Sequence, residues 1–177
     1  MKIASIATTF LWCFLLAGCS GKTWVAASDP VLVDENHAVI TFAKSSRKGR
    51  EFFMIWEEEK FVGMLTPGIY IRHKVKPGRH VYIAHYGNKW ALLEADLAAG
   101  REYLVRVHMP PFGRTRLDAL KDPARAEALL NGLTLAEMSP EAEGYRKKYQ
   151  PFPGRVLKMY RSGEMESYYK MSSDDHM

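Results

Sequence analysis

Cysteine is nearly absent from this chain. There are two, Cys13 and Cys19, and none follows residue 19. A disulfide scaffold, a Cys-x-x-Cys redox site, a cysteine nucleophile and a cysteine-ligated zinc are therefore excluded from the remainder. Long hydrophobic runs are also missing. The apolar stretch near the start, Phe10 to Ala17, has eight residues, whereas a helix needs about 20 to cross a bilayer. No His-Glu-x-x-His or other tight ligand spacing occurs, so no metal or cofactor site is expected. No Gly-x-Ser-x-Gly elbow occurs either. Ser-x-x-Lys appears twice, at Ser45–Lys48 and Ser167–Lys170. The Ser-Asp-Asn and Lys-Thr-Gly companions of a penicillin-binding site are absent, and chance accounts for the spacing. Gly21-Lys22-Thr23 ends like a phosphate-binding loop but has Leu16 where the first glycine must stand. No nucleophile–base pair is legible, and the chain reads as non-enzymatic.

What is present is ample apolar material. Hydrophobic residues make up 47% of the 177, enough for a packed core of one domain with a small appendage. The formal charge is +5. Its basic clusters, Arg47-Lys48-Gly49-Arg50, Lys74 to Arg79 and Arg146-Lys147-Lys148, read as solvated turns and helix faces rather than a nucleic-acid footprint.

The first nineteen residues have the parts of an export signal: basic Lys2, the apolar core, then small residues. Leu16-Ala17-Gly18-Cys19 directly after that core resembles the lipobox of bacterial lipoproteins. The resemblance implies cleavage between Gly18 and Cys19, a diacylglyceryl thioether on Cys19 and usually a third acyl chain (a palmitate-type modification) on its new amino group. Two or more chains hold a protein to a bilayer at about 0.8 kcal/mol per buried CH2. Ser20, where inner-membrane lipoproteins of enteric-type bacteria tend to have Asp, favours the outer membrane facing the periplasm.

Residues 1–18 are thus expected to be a signal peptide and 19–37 a tether with Pro30 and small residues. About 15 flexible residues reach on the order of 20 Å. Residues 38–109 are strand-rich. Runs such as Ala38–Ala43, Ile69–Val75 and Glu102–Met109 are separated by turn signals, among them Thr66-Pro67-Gly68, Lys76-Pro77-Gly78 and Gly87-Asn88. This predicts a mainly β fold, an antiparallel β-sandwich of about seven strands within 38–111. In 69–75, Ile69, Ile71 and Val75 oppose Tyr70, Arg72 and Lys74, as a half-buried strand requires. Residues 112–171 are expected to be a helical C-terminal extension packing on the sandwich. Asp122-Pro123 caps one helix, Ser139-Pro140 opens a second that Pro151 stops, and a third runs from Arg155 to about Tyr169. Residues 172–177 read as a disordered tail.

Trp56 through Gly63, Leu65, Gly68 and Tyr70, then Pro77-Gly78-Arg79-His80, then Gly100 through Tyr103 to Arg106, resemble the turn and strand grammar of a recurrent bacterial lipoprotein β domain. That domain is similar to PEGA-type and carboxypeptidase-regulatory-like modules. The likeness spans roughly 38–109, implies a sandwich, and brings no catalytic residue. The acidic Glu57-Glu58-Glu59 replaces the usual Asp-Gly turn and reads as a solubilising exposed turn.

Six histidines are present. His80 and His85 share a strand but lie five positions apart, so they face opposite sides. His73 and His85 fall on largely apolar faces. His80 and His108 are expected to share the polar face. Trp56, Trp90 and Tyr86 lie in strands and form the candidate binding face, since aromatic rows stack sugars or bury a partner. The leading functional expectation is a lipid-anchored envelope lipoprotein that scaffolds another envelope protein. The alternative is a binder of cell-wall peptidoglycan or lipopolysaccharide through aromatic and basic strand faces.

Overall fold

The computed structural model describes residues 24–29, 31–44, 51–110, 113–139, 142–165 and 168–177. Two sheets pack face to face. The first has the order β1-β10-β5-β2-β8-β9 and the second β11-β7-β6-β3-β4. The strands expected within 38–109 are all formed: β2 (Ala38–Lys44), β3 (Phe53–Glu57), β4 (Lys60–Leu65), β5 (Ile69–Val75), β6 (Gly78–Tyr86), β7 (Lys89–Leu97) and β8 (Glu102–His108). The turns that separate them come from local chemistry. Tyr86 pairs with Lys89 across a two-residue connection, and Gly87 holds φ +59° at its first position. That placement suits the primed turns whose twist matches hairpin strands. In β4, Gly63 admits Ile71 of β5. A Cβ there would stand 3.0 Å from Ile71 Cδ1, closer than two carbons pack without displacement.

The sandwich differs from the expected one in strand count and direction. Among the described residues there are eleven strands rather than about seven, and the pairs β2–β8, β5–β10 and β7–β11 are parallel. The extra strands come from segments read as tether and helical extension. β1 (Trp24–Ala26) pairs with β10 (Thr134–Met138), β9 (Arg116–Ala119) borders β8, and β11 (Tyr169–Met171) borders β7. Strands of three or four residues carry too few alternations to register as a pattern. The terminal segment is also held: Asp175 is buried, and the Met177 N–H donates to the Glu102 carbonyl at 2.9 Å.

Among the described residues, three helices complete the fold. α1 (Pro123–Leu130) starts as its sequence dictates, with the Asp122 carboxylate accepting from the Ala124 N–H at 3.0 Å and Pro123 in the first turn. Such a cap is worth about 1 kcal/mol. α2 (Glu143–Tyr149) is followed directly by α3 (Pro151–Arg161). Pro151 therefore opens a helix rather than only stopping one, because the first turn needs no N–H from it. α3 ends before Gly163, φ +75°, so the expected third helix begins earlier and does not reach Tyr169.

The layers run helix, sheet, sheet, helix. Between the sheets, Ile40, Phe42, Tyr103 and Val105 of the first meet Phe53, Ile55, Tyr82 and Leu93 of the second. On the outer face of the second sheet, Met54, Trp56, Ile83 and Leu92 pack under Val156 and Leu157 of α3. On the outer face of the first, Ala43 and Leu104 pack against Ala126 and Leu129 of α1. β2 is consequently buried at every residue, which explains its nearly unbroken apolar run.

Candidate functional site

A cleft of about 440 Å³ opens where the β6–β7 turn, the segment leading into β9 and the edge strand β11 meet. Asn88, Lys89 and Trp90 form one wall, Arg114 and Thr115 another, and Tyr169 a third. Trp90 is half-buried, with part of its ring packed into the apolar cluster under α3. Lys89 and Arg114 are exposed, and among the described residues neither forms an ion pair. Thr115 is 1% exposed, and its hydroxyl has no hydrogen-bond partner. An unpaired buried hydroxyl costs about 1–3 kcal/mol, so its position in a cleft wall is notable. The arrangement joins aromatic surface, positive charge, an amide and an unused hydroxyl. Ligand sites typically combine such apolar walls with a few polar groups.

The second sheet also carries two histidine sites on one strand. Glu57 sits at the end of β3, half-buried, and its two carboxylate oxygens each accept from a different ring. His73 Nε2 donates to Oε2 at 2.9 Å and His80 Nδ1 to Oε1 at 2.7 Å. These bonds hold the Glu57 carboxyl well below the usual carboxylate range. His80 Nε2 also donates, to the Lys76 carbonyl at 2.8 Å. A ring facing two acceptors satisfies both only when both nitrogens carry protons. His80 is therefore held as imidazolium, and its pKa is raised, chiefly by Glu57. Five residues along β6, His85 faces the other way. It is 1% exposed, neither ring nitrogen has a partner, and Phe152, Tyr149 and Trp56 surround it at 4.1, 5.3 and 6.4 Å between ring centroids. Burial alone pushes its pKa down to about 4.

The three aromatics read as a candidate binding face are not brought together on one exposed surface. Trp56 is fully buried beneath α3. Tyr86 packs at the edge of the inter-sheet core against Phe52 and Phe53. Trp90 alone of the three lines the cleft. Gly18 and Cys19 lie outside the described residues, as do Ser45 and Ser167. Glu57 is a partly buried member of β3 rather than part of an exposed acidic turn, and the turn residues are Glu58 and Glu59, with Glu58 at φ +49°. His108 donates to Asp118, which also accepts from Arg106 at 2.6 Å. Among the described residues, no group of three His, Cys, Asp or Glu side chains is placed to hold a metal ion. No described helix is long and apolar enough to cross a membrane.

Sequence reasoning missed Arg114, Thr115 and Tyr169. The only local sign of the first two is the basic and polar run Arg114-Thr115-Arg116 leading into β9, which says nothing about Trp90. Comparison with known proteins adds no name: no family model matches the chain, and no curated protein matches it.

Proposed function

We propose that this protein is a lipid-anchored, non-enzymatic binding module of the bacterial cell envelope, and that it holds an envelope glycan in the Trp90 cleft. The lipobox-like Leu16-Ala17-Gly18-Cys19 supports the anchor. β1 begins at Trp24, so five peptide steps from Cys19 reach the folded sheet, roughly 17 Å at full extension. Acylated Cys19 would then keep the domain close to the bilayer, in the outer membrane facing the periplasm, where confinement raises its effective concentration for nearby polymer.

The observation that carries the ligand reading is the cleft itself: Trp90 and Tyr169 in its lining, with the exposed Asn88, Lys89 and Arg114 beside them. Sugar rings offer C–H faces to aromatic rings and hydroxyls to polar groups, and both partners stand here. This shifts the weight from a protein partner to peptidoglycan or lipopolysaccharide. The PEGA-like grammar fits a binding module equally well.

Two measurements test the proposal. Metabolic labelling with palmitate should mark the wild type and leave Cys19→Ser unmarked. Detergent-solubilised full-length protein should be retained on isolated peptidoglycan or on lipopolysaccharide, and Trp90→Ala should reduce that retention. Retention on neither, with envelope crosslinking to one specific protein, would replace the glycan with a scaffolding role.

A further inference from the structure

Charge is distributed unevenly between two neighbouring recesses. A groove of about 540 Å³ beside the cleft is lined by Arg79, Lys121 and Lys170 and also by Glu94, Asp96 and Asp175. Its charges offset one another: Arg79 pairs with Glu94 at 2.9 Å, and Lys121 pairs with Asp175. Among the described residues, the Trp90 cleft has two cations and no carboxylate in its lining. Elsewhere on the described surface some arginines and lysines find an acid, as in Arg106–Asp118, Lys74–Asp34 and Arg146–Glu143, while others stand alone on open surface. Lys89 and Arg114 have no acid partner among the described residues, and both line this one cleft. Cations with aromatic walls and no acidic group among the described lining residues favour an anion over a metal ion.

We infer that the ligand of the Trp90 cleft is a sugar ring bearing one anionic group, carboxylate or phosphate, with the ring against Trp90 and Tyr169 and the anion on Lys89 and Arg114. This deepens, and rests on, the glycan reading. Asn88 supplies an amide for a ring hydroxyl. Thr115 supplies the second polar contact. A step of its χ1 between staggered wells decides whether methyl or hydroxyl meets the cleft, and a hydroxyl with no partner in the protein loses nothing by turning. Arg114 presents a planar fork that matches either anion in two bonds, and Lys89 adds a point charge.

The test is calorimetric titration of the full-length chain in detergent with three probes: galacturonate, glucose 6-phosphate and neutral methyl glucoside. A charged sugar should bind at least about tenfold more tightly than the neutral one, the scale of a charge-assisted hydrogen bond. Whichever charged arm binds better identifies carboxylate or phosphate as the source. The preference should collapse near 1 M salt, where screening acts over about 3 Å. Lys89→Gln and Arg114→Gln, at exposed positions without ion pairs, should each erase most of the preference and leave the thermal melt unchanged. Thr115→Val should weaken binding of the charged and neutral sugars alike, without loss of stability. Equal binding of methyl glucoside and the charged sugars would overturn the anionic assignment and leave the glycan reading standing. Inorganic phosphate binding as tightly as glucose 6-phosphate would remove the sugar ring from the proposal. Binding of none of the probes, together with no retention on peptidoglycan or lipopolysaccharide, would remove both.

Discussion

β6 carries one half-buried and one fully buried histidine, and the two faces of this one strand treat them in opposite ways. His80 looks between the sheets and is clasped by Glu57 and a carbonyl, so its charge is matched bond for bond. His85 looks outward under α2 and α3 and is boxed by rings with nothing to bond. The same side chain is thereby held as a cation on one face and as a neutral ring on the other. The difference lies in what the neighbouring elements bring, not in the histidine. β3 delivers a carboxylate to the first site, and the α2–α3 corner delivers Tyr149 and Phe152 to the second.

The opposition has a signature in pH. His85 has a folded pKa of about 4, below its ordinary 6.5. Its neutral box therefore stabilises the fold fully above pH 6.5, and that contribution is lost as acidity increases through the folded value. The loss amounts to about 3 kcal/mol by pH 4. His80 runs the other way. Its pKa is raised above 6.5, so its contribution is complete below 6.5 and disappears as pH climbs through the raised value. The cleanest way to break the contrast is His85→Leu, which fills the box without a titrating group. Urea unfolding at about pH 5 should find the variant roughly 2 kcal/mol more resistant relative to wild type than it is at pH 8. Parallel wild-type and variant profiles between those pH values would show that the ring is not kept neutral.

The clasp is broken from the other side by Glu57→Gln. Gln keeps the shape but offers one acceptor where two were used, and it brings no charge to hold the His80 cation. Hydrogen bonds to charged groups contribute about 1.5–3 kcal/mol, so a loss of about 2 kcal/mol at neutral pH is expected in the same unfolding assay. The alkaline fall in stability assigned to His80 should flatten in this variant. Wild-type stability at neutral pH, or an unchanged alkaline limb, would mean that the two histidines do not depend on Glu57.

These two sites also show what a one-dimensional reading can and cannot reach. The five-residue spacing of His80 and His85 was enough to place them on opposite faces, because side chains alternate along a strand whatever surrounds it. Turn chemistry was likewise enough to delimit β5, β6 and β7, since Pro77-Gly78 and Gly87-Asn88 act locally. The partner of each histidine was not accessible, because Glu57 and Phe152 reach β6 only through tertiary packing. Glu57 was misread for the same reason: next to Glu58 and Glu59 it looks like surface, yet it is the last residue of β3 and turns between the sheets. Trp56 stood in the apolar run Phe53-Met54-Ile55-Trp56, and such a run marks a strand covered on both faces. Placing Trp56 on a binding face passed over that signal, and the structure covers Trp56 with α3. The Trp90 cleft was half legible. Its tryptophan and lysine adjoin a recognisable turn, whereas Arg114 and Thr115 lie in the irregular segment before β9 and Tyr169 in a three-residue strand, none long enough to show a pattern.

A smaller substitution sharpens the contrast within the clasp itself. Tyr82 follows His80 on the same face of β6, is fully buried, and its hydroxyl has no partner. Burial, reinforced by the negative charge of Glu57, raises its pKa, so the phenol stays protonated throughout the range in which the clasp operates. Its ring nonetheless packs usefully, edge-on to Phe42 at 5.2 Å and stacked near His80 at 6.1 Å. Tyr82→Phe keeps both ring contacts and deletes an oxygen that was desolvated without compensation. An unsatisfied buried hydroxyl costs about 1–3 kcal/mol, part of which is returned as the small void left by the missing atom. The net expectation is a gain of up to about 1 kcal/mol at neutral pH, with the alkaline dependence on His80 unchanged. A loss of similar size would mean that the Tyr82 hydroxyl bonds within the clasp, most directly to Glu57. The carboxylate would then be held by three donors, and the deficit should vanish when Tyr82→Phe is combined with Glu57→Gln.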